Sequence, residues 1–303
     1  MNTDVSKSKV LSSLFWKLME SGGTQGIQFI VQILLARLLL PEDFGAIAIV
    51  TVFIALARVF VESGFNTALI QKKNADKTDF SSVFYISLLV AAILYLLIYS
   101  ASPFVADFYR DWQLVGVLRV LAVTLFFGAF NSIQHAYVAK NMLFKKLFFS
   151  SLGAIIISGT FGISAAYFGL GVWALVIQQL VNQFSITVIM WFVVRWRPEL
   201  VFSIDKVKIL FSFSWKLLVS SLLNTLYLEI RTLLIGRIYS PSILGYYNRG
   251  QQLPKVIVTN MDVSIQSVML PALSAHQDDH RRVKEMVRRT IMTSSFLVFP
   301  MMI

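Results

Sequence analysis

The chain has 303 residues, 56% hydrophobic and 14% charged, and its mean hydropathy is +0.70. That is more apolar surface than one water-soluble core of this length can hide, and it also excludes a disordered chain. The net charge of +11 comes with no cysteine and three histidines, which excludes a disulfide framework and thiolate metal sites and leaves an integral membrane protein.

A spanning helix needs about 20 mostly apolar residues. Taken along the chain, this rule predicts helices over 14–39, 45–70, 82–103, 114–138, 148–167, 172–194, 209–238 and 245–270. A ninth begins near 287 and meets Ile303 before it can cross, so the sequence reads as part of a longer protein. Helix 1 is long, is interrupted by SGGTQG and lacks a small-residue cleavage site, so it reads as a retained helix rather than a leader. Gly22, Gly23 and Gly26 predict a bend or a close helix contact there, and Pro254 a loosened helix 8.

The connections divide by charge. One side collects Lys7, Lys9, Lys72, Lys73, Lys77, Lys140, Lys145, Lys146, Arg195, Arg197, Lys206, Lys208, Arg281, Arg282, Lys284, Arg288 and Arg289. The turns of the other side hold Arg110 alone, beside the acids Glu42, Asp43, Asp107 and Asp111. The positive-inside bias therefore predicts a multi-pass protein with a cytoplasmic N-terminus. It also accounts for the basic pI without nucleic acid, for which no recognition pattern is present. Trp112, Trp173, Trp191, Trp196 and Tyr109 fall near span ends, where amphipathic rings settle.

An internal repeat is visible. LLARLLLPEDFG (34–45) matches LIGRIYSPSILG (234–245) at an offset of 200, pairing Leu34, Arg37, Pro41 and Gly45 with Leu234, Arg237, Pro241 and Gly245. Upstream, FWKLMES (15–21) matches SWKLLVS (214–220) at an offset of 199, so one residue is inserted between the blocks. Helices 1–2 are echoed by helices 7–8 with an even number of helices between equivalent positions. Both copies thus enter from one side, related by an axis along the membrane normal, as in transporters that bind substrate between two halves.

Polar groups in a bilayer usually face the bundle or a wet cavity. At about 100° per residue, Ser21, Gln25, Gln28 and Gln32 share one face of helix 1. At the 199 offset, Ser220, Asn224, Tyr227 and Arg231 share the same face of helix 7. Helix 2 aligns Thr51, Ala55, Arg58, Glu62 and Asn66, and helix 8 aligns Gln251, Lys255, Asp262 and Gln266. Arg58 lies about 14 residues into helix 2, roughly 20 Å deep, and Lys255 and Asp262 are comparably deep. A buried Arg58–Glu62 bridge would serve packing alone, but two seams of this length favour a hydrophilic cavity. Arg37, Arg237 and Arg249 lie nearer the outer end, within reach of headgroups. His135, beside Asn131 and Gln134, reads as an interfacial histidine.

The amides, hydroxyls and tyrosine suit a hydroxyl-rich ligand, and the cations Arg58, Arg231 and Lys255 suit phosphate. A ligand with sugars, a phosphate and a lipid tail uses all of these and a lateral apolar opening. Cavity candidates for the glycan are Ser21, Gln25, Gln28, Gln32, Glu62, Asn66, Ser220, Asn224, Tyr227, Asp262 and Gln266. No P-loop, GxSxG or HExxH pattern is present, so the expectation is a transporter with no cofactor and not an enzyme. Asp278-Asp279, the one acidic pair suggestive of a membrane glycosyltransferase, runs straight into HRRVKEMVRR and reads as part of a basic connection.

Four segments in order, LLARLLLPEDFGAIAIV, ESGFNTALIQKK (62–73), QHAYVAKNMLFKKL (134–147) and VMLPALSAHQDD (268–279), resemble bacterial polysaccharide flippases and exporters of the Wzx type, including colanic-acid-exporter-like members. Their superfamily also holds MATE drug exporters and the lipid II flippase. The resemblance implies an all-α membrane transporter of two lobes and twelve or more spans, with a parallel pseudo-repeat and, in these residues, an incomplete second lobe. The lobes would be 1–195 and 208–303, joined by a cytoplasmic linker at 196–207. It implies flipping of undecaprenyl-pyrophosphate-linked oligosaccharide across the bacterial inner membrane by alternating access, with cations holding the pyrophosphate. Arg58, Arg231 and Lys255 are the candidates by position. The implied partners are the lipid-linked oligosaccharide, membrane lipids and polysaccharide polymerase machinery. A cation-coupled MATE-like drug exporter, with Glu62 or Asp262 as coupling acid, is the alternative, and an integral membrane glycosyltransferase a third reading.

Overall fold

The computed structural model describes residues 15–17, 19–71, 76–140, 143–194, 197–252, 254, 281, 284–288, 290–292 and 295–296. Contacts divide the chain into two compact units, Met1–Tyr246 and Tyr247–Ile303. In the first, a π-helical turn (Met19–Gly23) leads into α1 (Thr24–Leu38), followed by α2 (Pro41–Gln71) and α3 (Lys77–Tyr109). Then come α4 (Gln113–Ala122), α5 (Thr124–Lys140), α6 (Phe144–Tyr167), α7 (Val172–Val193) and α8 (Ile204–Ile238). In the second unit the described residues are helical, with an Arg281–Glu285 ion pair at 3.8 Å on its surface.

Among the described residues, six helices are long and apolar enough to cross a membrane: 41–62, 77–109, 113–138, 144–167, 172–193 and 214–238. The all-α, multi-span class expected from composition is the one found. Helix 1 differs from the uniform span expected over 14–39. Its regular part has 15 residues, about 22 Å at 1.5 Å per residue, and a π turn precedes it where Gly22 and Gly23 lower helix preference. No atom beyond the helix's own backbone comes within 4 Å of a Cβ built on Gly22 or Gly26, so those two glycines serve no close contact here.

Two helices, α2 and α3, start ahead of their apolar stretch with a carboxylate bonded to the backbone there. α3 begins at Lys77 rather than 82 because Asp76 and Asp79 form a reciprocal capping box: Asp79 N donates to Asp76 Oδ1 at 2.8 Å and Asp76 N to Asp79 Oδ2 at 3.1 Å. α2 begins at Pro41, where a missing N–H costs nothing, and Leu40 N donates to Asp43 Oδ2. Helix 4 is divided at Val123, beside which Thr124 Oγ1 donates to the Leu121 carbonyl at 2.6 Å.

The repeat is built into the backbone. α1 and α8 stop 200 residues apart, each with the N–H of the following residue (Leu39, Tyr239) donating to a carbonyl four residues back (Leu35, Ile235) at 2.9 Å. After one more residue a new helix starts at Pro41 and at Pro241. These two helix starts touch reciprocally. A Cβ on Gly45 would lie 2.7 Å from the Pro241 carbonyl carbon, and one on Gly245 2.8 Å from that of Pro41. Ser242 Oγ donates to Glu42 Oε1 at 3.0 Å across the same crossing.

At the basic end, Leu69, Phe80, Phe84, Ile133, Met190, Val194 and Leu210 form one apolar core joining α2, α3, α5, α7 and α8. The chain between α7 and α8 lies against the start of α3. Glu199 N and Ser203 N donate to Ser81 Oγ and Ser82 Oγ, both at 3.0 Å. Lys77 pairs with Glu199 at 2.8 Å and Lys206 with Asp76 at 2.5 Å. The Lys206 hydrogen bond, helped by the Asp79 backbone N–H, holds the Asp76 carboxyl down at about 2, and Asp76 in turn raises Lys206. A carboxyl depressed below its unfolded value of about 3.9 contributes stability above that pH and loses it as pH falls toward about 2. Asp76→Asn is expected to lower the melting temperature of detergent-solubilised protein at neutral pH, with the difference from wild type shrinking as the pH is lowered toward 3. A difference that stays constant over that range would refute the assignment.

Candidate functional site

Two cavities, one of mixed and one of mainly polar lining, lie inside the first unit, and both include Arg58. The larger, about 330 Å³, is lined by Thr51, Ile54, Ala55, Arg58, Val59 and Glu62 of α2, Gln179 of α7 and Thr225 of α8. The smaller, about 240 Å³, is lined by Gln28 and Gln32 of α1, Arg58, Thr124 at the start of α5, and Gln178, Gln179, Asn182 and Gln183 of α7. Small residues bring these helices together. A Cβ on Gly162 of α6 would lie 2.8 Å from Gln178 Cβ, and one on Gly159 2.8 Å from Val31 Cγ2 of α1. α6 thus holds α1 and α7 close enough for their amides to share a void.

Arg58 and Glu62, one helical turn apart, meet at 3.4 Å between Nε and Oε1. Arg58 Nε is buried and makes no hydrogen bond. The Glu62 carboxylate lies over Gly128 of α5, where a Cβ would stand 2.8 Å from Oε1. Arg58 thus lies beside Glu62 and on the wall of both cavities, where a bound anion could pair with its guanidinium.

The structure brings together Arg58, Glu62, Gln28 and Gln32 around these cavities. Ser21 sits half-buried in the π turn and Gln25 half-buried on α1, and neither lines a cavity. Ser220, Asn224, Tyr227 and Arg231 lie on the exposed side of α8. The face of α8 turned to α2 instead carries buried Ser214 and Thr232, half-buried Ser221 and Thr225, and Gly236, whose Cβ would meet Ile49 at 3.1 Å. That face follows the 200 offset set by the helix ends, and a one-residue change of offset turns a helix by about 100°. The Asn66 side chain, Lys255, Asp262 and Gln266 lie outside the described residues. Of the outer arginines, Arg237 lies 4.8 Å over the Phe108 ring.

Sequence reasoning missed the α7 amides. Gln178, Gln179, Asn182 and Gln183 repeat at i, i+1, i+4 and i+5, a polar stripe two residues wide inside an otherwise apolar span. That pattern was readable, but helix 6 has no partner in the repeat to draw attention to it. Gln134 of α5 is wholly buried with neither amide atom hydrogen-bonded, and it lines neither cavity.

A family model described as polysaccharide biosynthesis protein matches residues 34–303. Teichuronic acid biosynthesis protein TuaB of Bacillus subtilis is 29% identical over 255 residues, covering 82% of this chain and 52% of that protein. Succinoglycan biosynthesis transport protein ExoT of Rhizobium meliloti is 24% identical, covering 100% and 61%, and lipopolysaccharide biosynthesis protein WzxC of Escherichia coli is 23% identical, covering 97% and 60%. The chain thus spans between half and two thirds of the length of these relatives. Among solved structures, an inward-facing multidrug resistance MATE family transporter of the MOP superfamily superposes with a TM-score of 0.67 at 14% identity, covering 90% of this chain and 68% of that one. The fold is that of a multi-span membrane transporter.

Proposed function

We infer, since the chain belongs to the polysaccharide biosynthesis protein family, that it serves as a membrane transporter and not an enzyme, flipping a lipid-linked oligosaccharide across the bacterial inner membrane. One observation carries this reading: a membrane-embedded arginine, with a donor unused, stands on the shared wall of an amide-lined cavity and a second one that also holds Glu62. A cation at that depth is costly unless it pairs with its surroundings or with a ligand. Phosphate is the chemistry a guanidinium serves best, and the amides beside it suit sugar hydroxyls.

In this reading the diphosphate of an undecaprenyl carrier sits at Arg58, with Arg231 and Lys255 as further cations. The glycan occupies the polar seam and the polyprenyl tail stays in lipid. Ser21, Gln25, Asn66, Ser220, Asn224, Tyr227, Asp262 and Gln266 line the rest of the pathway. The N-terminus is cytoplasmic by the charge bias of the connections. Residues 1–195 and 208–303 belong to different lobes, joined through 196–207, which rock to expose the seam to either side. The polysaccharide polymerase machinery is the partner downstream.

Deletion of the gene tests this. The expected result is loss of surface polysaccharide with accumulation of its completed lipid-linked unit inside the cell. Unchanged polysaccharide with raised drug sensitivity would make the protein a MATE-like exporter. A lipid-linked unit that is never completed would make it a glycosyltransferase.

A further inference from the structure

We propose that the smaller cavity, walled by the amides of α1 and α7, is a saccharide-binding subsite that recognises an uncharged sugar ring through its hydroxyls. The proposal rests on the flippase reading and adds a place and a chemistry to it. Among the described residues Arg58 is the one charged residue on that wall, and no aromatic ring of theirs lines it. The described wall therefore offers neither ring stacking nor paired cations for an acidic sugar. Six amide side chains remain, each with donors and an acceptor, which is the complement of a hydroxyl that both gives and takes a hydrogen bond.

A packing role fits the same residues poorly. Amides that glue membrane helices together bond to one another across the interface. Among the described residues no hydrogen bond joins the side-chain amides of Gln28, Gln32, Gln178, Gln179 or Gln183 to another side chain, and they face a void. Asn182 is the exception, its Nδ2 donating to Ser158 Oγ at 3.2 Å, which fixes that part of the wall. The backbone beneath is equally set, since Gln178 is buried against Gly162. The wall is thus held in place while most of its hydrogen-bonding capacity is left open. Such a site discriminates strongly against a ligand lacking the matching hydroxyls, because its own polar groups then stay unpaired. Since Arg58 lines both cavities, a sugar held here stands next to a phosphate held there.

The test uses the full-length protein in lipid nanodiscs and two probes: undecaprenyl diphosphate alone, and undecaprenyl diphosphate carrying one neutral hexose. Wild type is expected to bind the sugar-bearing probe about tenfold or more tighter than the bare one. Gln32→Leu and Gln183→Leu, singly and together, are expected to erase that preference while binding the bare diphosphate as wild type does, which also reports that they fold. Equal binding of both probes by wild type, or a preference that survives both substitutions, overturns the subsite and leaves the flippase reading standing. Failure of wild type to bind either probe overturns the reading and the subsite with it.

Discussion

Arg58→Ala is expected to reduce export of the lipid-linked oligosaccharide about 30-fold or more, with the protein still present in the membrane. The size follows from removing the cation that a bound diphosphate would desolvate and pair with, a loss of about 2 kcal/mol or more. Two causes have to be separated, because Glu62 stands 3.4 Å away and would be left as an uncompensated carboxylate. The double variant Arg58→Ala/Glu62→Gln separates them. If Arg58 only neutralises Glu62, the second change restores export; if Arg58 holds the diphosphate, the double variant stays inactive. Arg231→Ala and Lys255→Ala are read in parallel by the same export assay. Full export by all three single variants would remove the cationic assignment altogether.

Gly45→Ala is expected to cost about 3 kcal/mol and to cut the yield of folded protein several-fold. The added methyl would stand 2.7 Å from the Pro241 carbonyl carbon, against backbone that has no rotamer with which to move aside. Gly245→Ala is expected to do the same from the other side, against Pro41. Because one contact is disturbed in both cases, the double variant should lose less than the sum of the single losses. Gly26→Ala is the control: a Cβ there has free space and helix preference favours alanine, so its melting temperature should equal or slightly exceed wild type. Melting of solubilised protein followed by size-exclusion chromatography checks all four.

Much of this was legible in the residues. Apolar length located the six spans over 41–238, since the bilayer imposes it, but it read 14–39 as a span where a π turn and a 15-residue helix stand; the repeat marked Gly45 and Gly245 as equivalent although it did not show that they touch. The Arg58–Glu62 spacing announced their pairing, because i and i+4 meet on any helix. What escaped the sequence depends on rotation and on neighbours. The face of α8 turned to α2 hinges on a single inserted residue, which periodicity cannot place. The amides of α7 gain their significance only from Gln28 and Gln32 across the void, and that proximity is set by glycines on a third helix, α6. The start of α3 lay ahead of its apolar stretch because the Asp76–Asp79 capping box extends the helix there.

The crossing at Gly45 and Gly245 has a mechanical consequence. Bare backbone meets bare backbone at one end of a 31-residue rod about 45 Å long, which makes the contact a fulcrum with a long arm. Were α2 to turn as a rigid rod by about 10° about Gly45, its far tip would move roughly 7 Å and the backbone at Arg58, about 20 Å along, about 3 Å. A modest change of angle between the two helix starts is enough to re-aim the charge.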